Sequence, residues 1–260
     1  MESWNSFLVE NKREKIAVLD IAYDENSSFL RGAAEAPSLI RQAFFSPASN
    51  LWTENEIDLG EAGLLVDAGI VKPEPGKDVN LEIETTALRV LDYGLSLVSL
   101  GGDHAITYPL VKAVSKHYPD LSILHFDAHP DLYDEFDGNR WSHAYIFTWI
   151  MEQGLVKRLV QVGIRGMNGH QRSQAERFGV EVISMQDFSD NLELHFKTPV
   201  YISFDMDCLD PAFAPGVSHW EPGGLSTRQM LHLIQTLDAP LVAADIDDFI
   251  REWNQKSQPW

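Results

Sequence analysis

Three short segments of the chain carry side chains that can bind metal ions. Asp127, His129 and Asp131 alternate after one apolar run, and Asp205 and Asp207 alternate after another. In an extended backbone, side chains two residues apart point the same way. Each of these two segments therefore directs its carboxylates, and in one case an imidazole, to one side of a sheet at the end of a strand.

The third segment supplies a further imidazole. His104 follows Gly101 and Gly102, which come directly after the apolar run from Leu97 to Leu100. Crowded carboxylates resist ionisation unless a cation compensates their charge. Two divalent cations bring four positive charges, which four aspartates balance. The sequence therefore predicts a binuclear metal site with the ligands His104, Asp127, His129, Asp131, Asp205 and Asp207.

The charge balance of the 260-residue chain narrows its possible partners. Asp and Glu number 39 against 20 Lys and Arg, which gives a formal net charge of −19. Binding to nucleic acid needs a basic face, so we expect no nucleic acid partner. An acidic cleft is compatible with a small cationic substrate, although most of these charges are expected to form an ordinary acidic surface.

The sequence also bears on the compartment. No segment approaches the ~20 apolar residues of a membrane span, and the stretch from Met1 to Asn5 lacks the basic and apolar regions of a secretory signal. The single cysteine, Cys208, excludes an internal disulfide and is expected to be a buried structural residue. We therefore expect a cytoplasmic protein with no membrane segment.

Apolar, β-branched runs alternate with helical patterns along the chain, which predicts a parallel sheet with crossover helices. Ligands of such sheets collect outside the carboxyl ends of the strands, where all three segments lie. Residues 1–260 are expected to form a single domain, with an irregular surface excursion over 46–78. Strands are predicted over 16–20, 95–100, 121–126, 159–164, 180–184, 200–204 and 241–245, and helices over 37–44, 81–93, 108–117, 144–151, 171–178 and 227–237.

Taken in order, the three segments resemble the ureohydrolase family of arginases and agmatinases. The segment ending at His104 is similar to the first metal motif of the family, the segment from Asp127 to Asp131 to the second, and the segment from Ser203 to Gly224 to the third. The run from Asn26 to Arg41 resembles the N-terminal region of the family. The sequence from Cys208 to Leu225 is especially similar to that of plant-type arginases. The resemblance implies a three-layer α-β-α fold with a mostly parallel central sheet.

The resemblance also implies two Mn²⁺ ions per chain. Hard carboxylates with imidazole suit Mn²⁺, zinc is less favoured without thiolates, and nickel is not excluded by these ligand types. In the family, each ion has two ligands of its own and shares two bridging carboxylates: His104 and Asp131 for one ion, His129 and Asp207 for the other, and Asp127 and Asp205 as the bridges.

The activity implied by the resemblance is hydrolysis of a guanidino compound, agmatine or arginine, to urea and an amine. A metal-bridging hydroxide would attack the guanidinium carbon, and Asp131 would relay a proton to the departing amine. His143 is similar to the mobile proton-shuttling histidine of the family, and its unperturbed pKa near 6.5 suits proton transfer close to neutral pH.

One position departs from the family pattern. Asp248 stands where the family has a glutamate that pairs with the substrate guanidinium, and it is shorter by one methylene, about 1.5 Å of reach. Alternatively, Asp248 is only a solvent-exposed acid at the end of a strand, without a role in binding substrate. The chain ends at Trp260, which we expect to be an atypically short C-terminal end, and family members commonly form trimers or hexamers, which implies a homo-oligomer.

The loop after Asp131 is expected to select the substrate. Asn139 is a candidate contact for the carboxylate of arginine, whereas Asp134, Glu135 and Asp137 would repel that carboxylate and attract a second cation. These charges favour agmatine.

Two further histidines, both close to the motifs, differ in their predicted roles. His219, on a loop near the third segment, is predicted to line the mouth of the site. His125 is predicted to be a packed core residue whose side chain lies on the face opposite to that of Asp127.

Two other functions remain open from the sequence. One is formiminoglutamate hydrolysis, which belongs to the same superfamily and would release formamide. The other is a metal-binding homologue without catalytic activity, because the position of Asp248 departs from the family pattern.

Overall fold

The structure is a computed structural model that describes residues 15–60, 64–134 and 141–250. Its eight described strands are β1 (Ile16–Ile21), β2 (Leu65–Val71), β3 (Ser96–Leu100), β4 (Ser122–Phe126), β5 (Arg158–Ile164), β6 (Glu181–Ser184), β7 (Val200–Asp205) and β8 (Leu241–Asp247). They form one sheet in the order β2-β1-β3-β8-β7-β4-β5-β6. Every pair of neighbouring strands is parallel.

Helices cover both faces of this sheet. The described α-helices are α1 (Ala36–Phe44), α2 (Val79–Asp92), α3 (Thr107–His117), α4 (Ile146–Glu152), α5 (Gly169–Phe178) and α6 (Thr227–Gln235). Helices α2 to α5 pack on the face that carries Leu19 and Ile123. Helix α6 packs on the other face, against Leu124 and Ile202, and α1 packs there against Val18. The fold is the three-layer α-β-α arrangement that the sequence predicts.

The ends of several helices are specified locally. Asp78 accepts hydrogen bonds from the backbone N–H groups of Asn80 and Leu81 at the start of α2. Ser226 and Gln229 form a capping box at the start of α6. These side chains satisfy backbone donors that lack partners in the first turn of a helix. The helix starts lie within two residues of the predicted starts because these signals are local.

The order of the strands places the chemically interesting segments side by side. Strands β3, β8, β7 and β4 are consecutive in the sheet, so the loops that follow them leave the same edge. The first, second and third segments follow β3, β4 and β7. Strand β8 is inserted between β3 and β7, and its residue Asp247 lies beside Asp205 in register. The carboxyl end of β8 therefore joins the site.

The prediction of an irregular excursion over 46–78 is wrong for part of that stretch. Leu65–Val71 forms β2, an edge strand that pairs with β1. Asp67 and Gly69 interrupt its apolar pattern, so the run does not show the continuous β-branched character of a buried strand. Asp67 is instead paired with Arg41 of α1 at 3.1 Å, which accommodates a charge on this strand.

Helix length also has a bearing on membranes. Within the three described ranges, no helix combines the length and apolar character that crossing a bilayer requires. The longest of them, α2, has 14 residues.

Gly102 allows the loop after β3 to lie directly on its neighbours. A Cβ atom at this position would lie 1.6 Å from the carbonyl oxygen of Tyr23. The adjacent Asp103 N–H donates to that same oxygen at 3.0 Å, and the Asp248 N–H donates to the Gly102 carbonyl at 2.9 Å. The backbone of this loop thus connects the ends of β1, β3 and β8.

We expect Gly102→Ala to destabilise the protein by about 3 kcal/mol, because the new methyl group overlaps backbone atoms that cannot rotate away. Urea unfolding of the metal-free protein measures this change. Gly169→Ala is the matched control, since a Cβ there meets no atom within 4 Å, and its stability should be equal to wild type or slightly higher. Equal stability of the two variants would show that the close approach is not a constraint.

Candidate metal centre

The first group of predicted ligands converges on His104. Its Nδ1 atom lies 3.1 Å from Asp131 Oδ2, 3.3 Å from Asp127 Oδ2 and 3.5 Å from Asp205 Oδ2. These residues come from the ends of β3, β4 and β7, and His104 is fully buried. Although the distances are short, His104 Nδ1 makes no hydrogen bond with the described residues. A ring nitrogen that faces three carboxylates without a hydrogen bond is arranged as a ligand.

The second group converges on His129. Its Nδ1 atom lies 3.0 Å from Asp207 Oδ2 and 3.4 Å from Asp127 Oδ1. The two oxygens of Asp127 therefore face two different histidines, Oδ2 towards His104 and Oδ1 towards His129. This arrangement is suited to a carboxylate that bridges two cations.

Short turns hold these carboxylates in place. Asp205 Oδ1 accepts a hydrogen bond from the Asp207 N–H at 2.8 Å, and Asp207 Oδ1 accepts one from the Ala128 N–H at 3.0 Å. Asp127 Oδ1 accepts one from the His129 N–H at 2.6 Å. Backbone donors stabilise a carboxylate and fix its direction, so the oxygens that remain can face a ligand.

Burial and crowding control the protonation of the aspartates. Burial, together with the charge of Asp207, raises the pKa of Asp205 well above its usual value. Burial and the charge of Asp127 raise the pKa of Asp207 to about 6. Burial opposes ionisation of Asp127 as well, but neighbouring histidines, with His125 first, hold its pKa well below the usual range. Crowded carboxylates without compensation thus retain protons.

The histidines carry the compensating charge. Burial lowers the pKa of His129, but hydrogen bonds with Asp127 and Asp207 outweigh it and raise that pKa to about 12. Likewise, the surrounding carboxylates raise the pKa of His104 well above its usual value despite its burial. Protons on these imidazoles take the place that cations would occupy. The donor set of carboxylate oxygens and imidazole nitrogens fits divalent cations of intermediate hardness.

His125 belongs to the site, which the sequence interpretation missed. Its Nε2 lies 2.9 Å from Asp127 Oδ2, and its Nδ1 accepts a hydrogen bond from Gln161 Nε2 at 3.0 Å. Because Nδ1 is an acceptor, Nε2 carries the hydrogen and donates it to Asp127. His125 is buried as predicted, but the predicted opposite face is wrong, since residues two apart in a strand share a face.

Asp247 is a second residue of the site that the sequence interpretation did not assign. It is fully buried, and neither carboxylate oxygen makes a hydrogen bond with the described residues. Asp247 Oδ2 lies 3.7 Å from His104 Nε2. Asp245 and Asp247 alternate at the end of an apolar strand, as the aspartates do in the segments that contain Asp127 and Asp205. This sequence pattern could have identified Asp247 as a candidate site residue.

Asp248 is buried, which contradicts the alternative interpretation of a solvated acid. Its Oδ2 accepts hydrogen bonds from the Ser218 backbone N–H at 3.2 Å and the Ser218 hydroxyl at 2.5 Å. Its Oδ1 makes none with the described residues. Burial and the charge of Asp207 raise the pKa of Asp248 to about 8.

A cavity of ≈ 190 Å³ opens over these groups. Asp248, His143 and His219 line it with the candidate metal ligands Asp127, His129, Asp131, Asp205 and Asp207. His219 therefore lies where the sequence predicts, beside the site. Asn139 falls outside the described residues, so its predicted contact with substrate stays a prediction.

The sequence of this chain matches a known protein family. The model of the arginase family matches residues 14–249. The chain belongs to the arginase family. Its members are hydrolases of carbon–nitrogen bonds in linear amidines, and this protein is therefore a hydrolase of that type. The family resemblance of the three segments is confirmed.

Similar proteins include plant and bacterial ureohydrolases. Arginase 1, mitochondrial, from Arabidopsis thaliana is 44% identical over 258 residues, which cover 93% of this chain and 75% of that protein. N(1)-aminopropylagmatine ureohydrolase from Thermus thermophilus is 36% identical over 234 residues, which cover 86% and 78% of the two proteins. The solved structure of arginase from Medicago truncatula superposes with a TM-score of 0.85 at 38% identity, and the match covers 91% of this chain and 80% of that one.

We expect His125→Phe to weaken binding of Mn²⁺ by about 10- to 100-fold, because the hydrogen bond that orients Asp127 is lost. A phenyl ring preserves the packing on Phe147, whose ring centroid lies 4.1 Å away. Calorimetric titration of the metal-free protein measures the affinity. His117→Phe, which removes a histidine bonded to Asp92, should bind Mn²⁺ like wild type. Unchanged affinity in His125→Phe would contradict the orienting role.

The metal-free protein is expected to lose stability as the pH rises from about 4 to 8. The folded state retains a proton on Asp248, whose pKa is about 8, while the unfolded chain releases it near 3.8. This stabilisation is complete below the unfolded pKa and is lost as the pH rises through the folded pKa. Asp248→Asn should therefore make the slope shallower by up to about 1.4 kcal/mol per pH unit.

Urea unfolding from pH 4 to 9 in the presence of a chelator measures this slope. Glu193→Gln, which removes an exposed carboxylate, is the control and should keep the wild-type slope. The same slope in Asp248→Asn and wild type would mean that Asp248 does not retain its proton.

Proposed function

We propose that the protein hydrolyses a guanidino compound, agmatine or arginine, to urea and an amine at a binuclear manganese centre. The observation that carries this proposal is the placement of Asp127, whose two oxygens face His104 and His129 separately. A site for one cation would not need a carboxylate between two imidazole groups. The names of the similar proteins support the guanidino class of substrate.

The ligands of the two ions are assigned by proximity and by family membership. His104 and Asp131 would hold one ion, His129 and Asp207 would hold the other, and Asp127 and Asp205 would contribute to both. Carboxylates and imidazoles without thiolates favour Mn²⁺ over zinc. When bound, two such cations lower the pKa of a shared water, which makes hydroxide available near neutral pH.

We infer that Asp248 binds the cationic end of the substrate. One of its oxygens is bonded to Ser218, and the other, which has no hydrogen-bond partner among the described residues, can accept a hydrogen bond from a guanidinium N–H. A guanidinium beside Asp248 favours the ionised form of its carboxylate. The positive charge of the substrate therefore offsets the free-energy cost of burying that negative charge. The shorter aspartate thus offers one oxygen, where a free carboxylate offers two.

His143 is placed to move a proton within the cavity. Burial lowers its pKa to about 4, below the value near 6.5 on which the sequence expectation rested, so the ring is neutral at pH 7 and a weaker base than an exposed histidine. Its Nε2 accepts a hydrogen bond from the Ser28 N–H at 3.2 Å. A neutral imidazole and the carboxylate of Asp131, both lining the cavity, can take up and deliver the proton that the departing amine needs.

The charge of the cavity favours agmatine over arginine. Four of the five aspartates in its lining are proposed metal ligands, whose charge two divalent cations would balance, and the described lining holds no lysine or arginine. An α-carboxylate would therefore enter without a cationic side chain to pair with there. Agmatine carries an amine or ammonium group and no carboxylate, so it suits this environment.

The test is a panel of agmatine, arginine and formiminoglutamate with the Mn²⁺-loaded protein. We expect urea from agmatine with the highest kcat/KM, a lower value for arginine, and no formamide. Formamide from formiminoglutamate alone would identify the protein as a formiminoglutamate hydrolase. Two bound metal ions without any product would support a non-catalytic homologue and overturn the proposal.

A further inference from the structure

The loop from Asp24 to Gly32 lies over the cavity, although its role is not assigned by the metal motifs. Asp24 Oδ2 accepts hydrogen bonds from the Gly32 N–H at 2.7 Å and the Ala34 N–H at 3.2 Å, which closes the loop on itself. The Asn26 N–H donates to the buried Asp103 Oδ2 at 2.8 Å. These bonds fix the loop to the turn that carries His104 and place Ser28 at the cavity.

Ser28 connects two histidines of the cavity. Its hydroxyl lies 2.7 Å from His143 Nε2 and 3.5 Å from His219 Nε2. On the far side of the second ring, His219 Nδ1 lies 2.8 Å from the hydroxyl of Ser218, which also contacts Asp248. These hydrogen bonds, together with the 3.5 Å contact between Ser28 and His219, form one chain in the order Asp248, Ser218, His219, Ser28 and His143.

The direction of the bonds at Ser28 follows from its backbone. The Ser28 N–H can only donate, and it donates to His143 Nε2. That nitrogen therefore carries no hydrogen, and the Ser28 hydroxyl also donates to it. The Ser218 hydroxyl donates its single hydrogen to Asp248 Oδ2, so its oxygen accepts one from His219 Nδ1–H. One assignment results: His143 and His219 each hold their hydrogen on Nδ1.

We propose that this hydrogen-bonded chain positions the two groups that handle the substrate, with Ser28 fixing the tautomer of His143 and Ser218 fixing the carboxylate of Asp248. His219 is the link that couples them. Ser28, Ser218 and His219 are positioning residues, because each acts through a neighbour. The kinetic consequences rest on the proposed function, whereas the tautomers do not.

The consequence for the reaction concerns the hydrogen on His143 Nδ1. This atom is buried and makes no hydrogen bond with the described residues. Held as the Nδ1–H tautomer, the ring keeps one nitrogen for the Ser28 loop and the other for a group that enters the cavity. A ring that was free to exchange tautomers would present the wrong nitrogen part of the time.

The first experiment is nitrogen-15 NMR of histidine-labelled protein loaded with Mg²⁺, since Mn²⁺ is paramagnetic. We expect both His143 and His219 as the Nδ1–H tautomer. In Ser28→Ala, the tautomer of His143 should lose this preference in part. A hydrogen on His143 Nε2 in the wild-type protein would overturn the proposal whatever the substrate is.

The second experiment is a double-mutant cycle on the Mn²⁺-loaded enzyme with the substrate that releases urea fastest. Ser28→Ala should lower kcat about 10-fold, equivalent to about 1.4 kcal/mol, and Ser218→Ala should raise KM by a similar factor. Because His219 couples Ser28 and Ser218, the fold-loss of kcat/KM in the double variant should differ from the product of the fold-losses in the two single variants. In a His219→Ala background, the two effects should become independent.

Ser27→Ala is the matched control for the cycle. The Ser27 hydroxyl oxygen makes no hydrogen bond with the described residues, so kcat and KM should be those of wild type. Metal content and thermal midpoints show whether each variant is folded and loaded. Independent effects of Ser28→Ala and Ser218→Ala in the presence of His219 would overturn the coupling. Absence of urea from wild type would count against the proposed function alone, because NMR still decides the tautomers.

Discussion

Buried negative charge is the constraint on which the rest of this structure depends. Asp205, Asp207 and Asp247 lie within a few residues of the sheet edge and are almost completely buried. An isolated buried carboxylate is unfavourable by several kcal/mol unless it is paired, protonated or bound to a cation. The raised pKa values of Asp205 and Asp247 show how strongly these groups resist ionisation without added cations. Divalent cations relieve that cost, so their binding and the stability of the fold are linked.

The parallel sheet makes such a concentration of acids possible. Parallel strands send their carboxyl ends to one edge, and hydrophobic helices cover both faces, so polar groups collect at that edge. Gly102 permits the loops after β1, β3 and β8 to approach closely enough for their backbones to form hydrogen bonds. Asp103, beside it, is fully buried and satisfied by backbone donors. The scaffold therefore holds the acids apart from solvent while leaving a cavity above them.

Asp248 shows how a change of one methylene is accommodated. The residue adopts a positive φ of 54°, an unusual conformation outside glycine. Its N–H donates to the Gly102 carbonyl, and its side chain is held by Ser218. Gly102 holds the backbone of Asp248 and Ser218 holds its carboxylate, so the direction of the shorter side chain is set by residues of two other loops.

Local patterns predicted much of the fold and a set of candidate metal ligands. Alternation of acids and histidines at strand ends identified the candidate ligands, because side-chain direction in a strand depends only on spacing. The helix predicted over 227–237 begins at the same residue as α6, where Ser226 and Gln229 form a local capping box. The edge strand β2 was missed because its stabilisation comes partly from Arg41, a residue on another element.

What the sequence by itself determined is therefore the chemistry available: which side chains alternate, which strands carry them and which charge they bring together. Only the tertiary structure decided which of them meet. The insertion of β8 between β3 and β7 brings Asp247 to His104, and the loop that carries Ser28 reaches His143 from 115 residues away. Contacts of this kind depend on strand order and on loop packing, which no local spacing encodes.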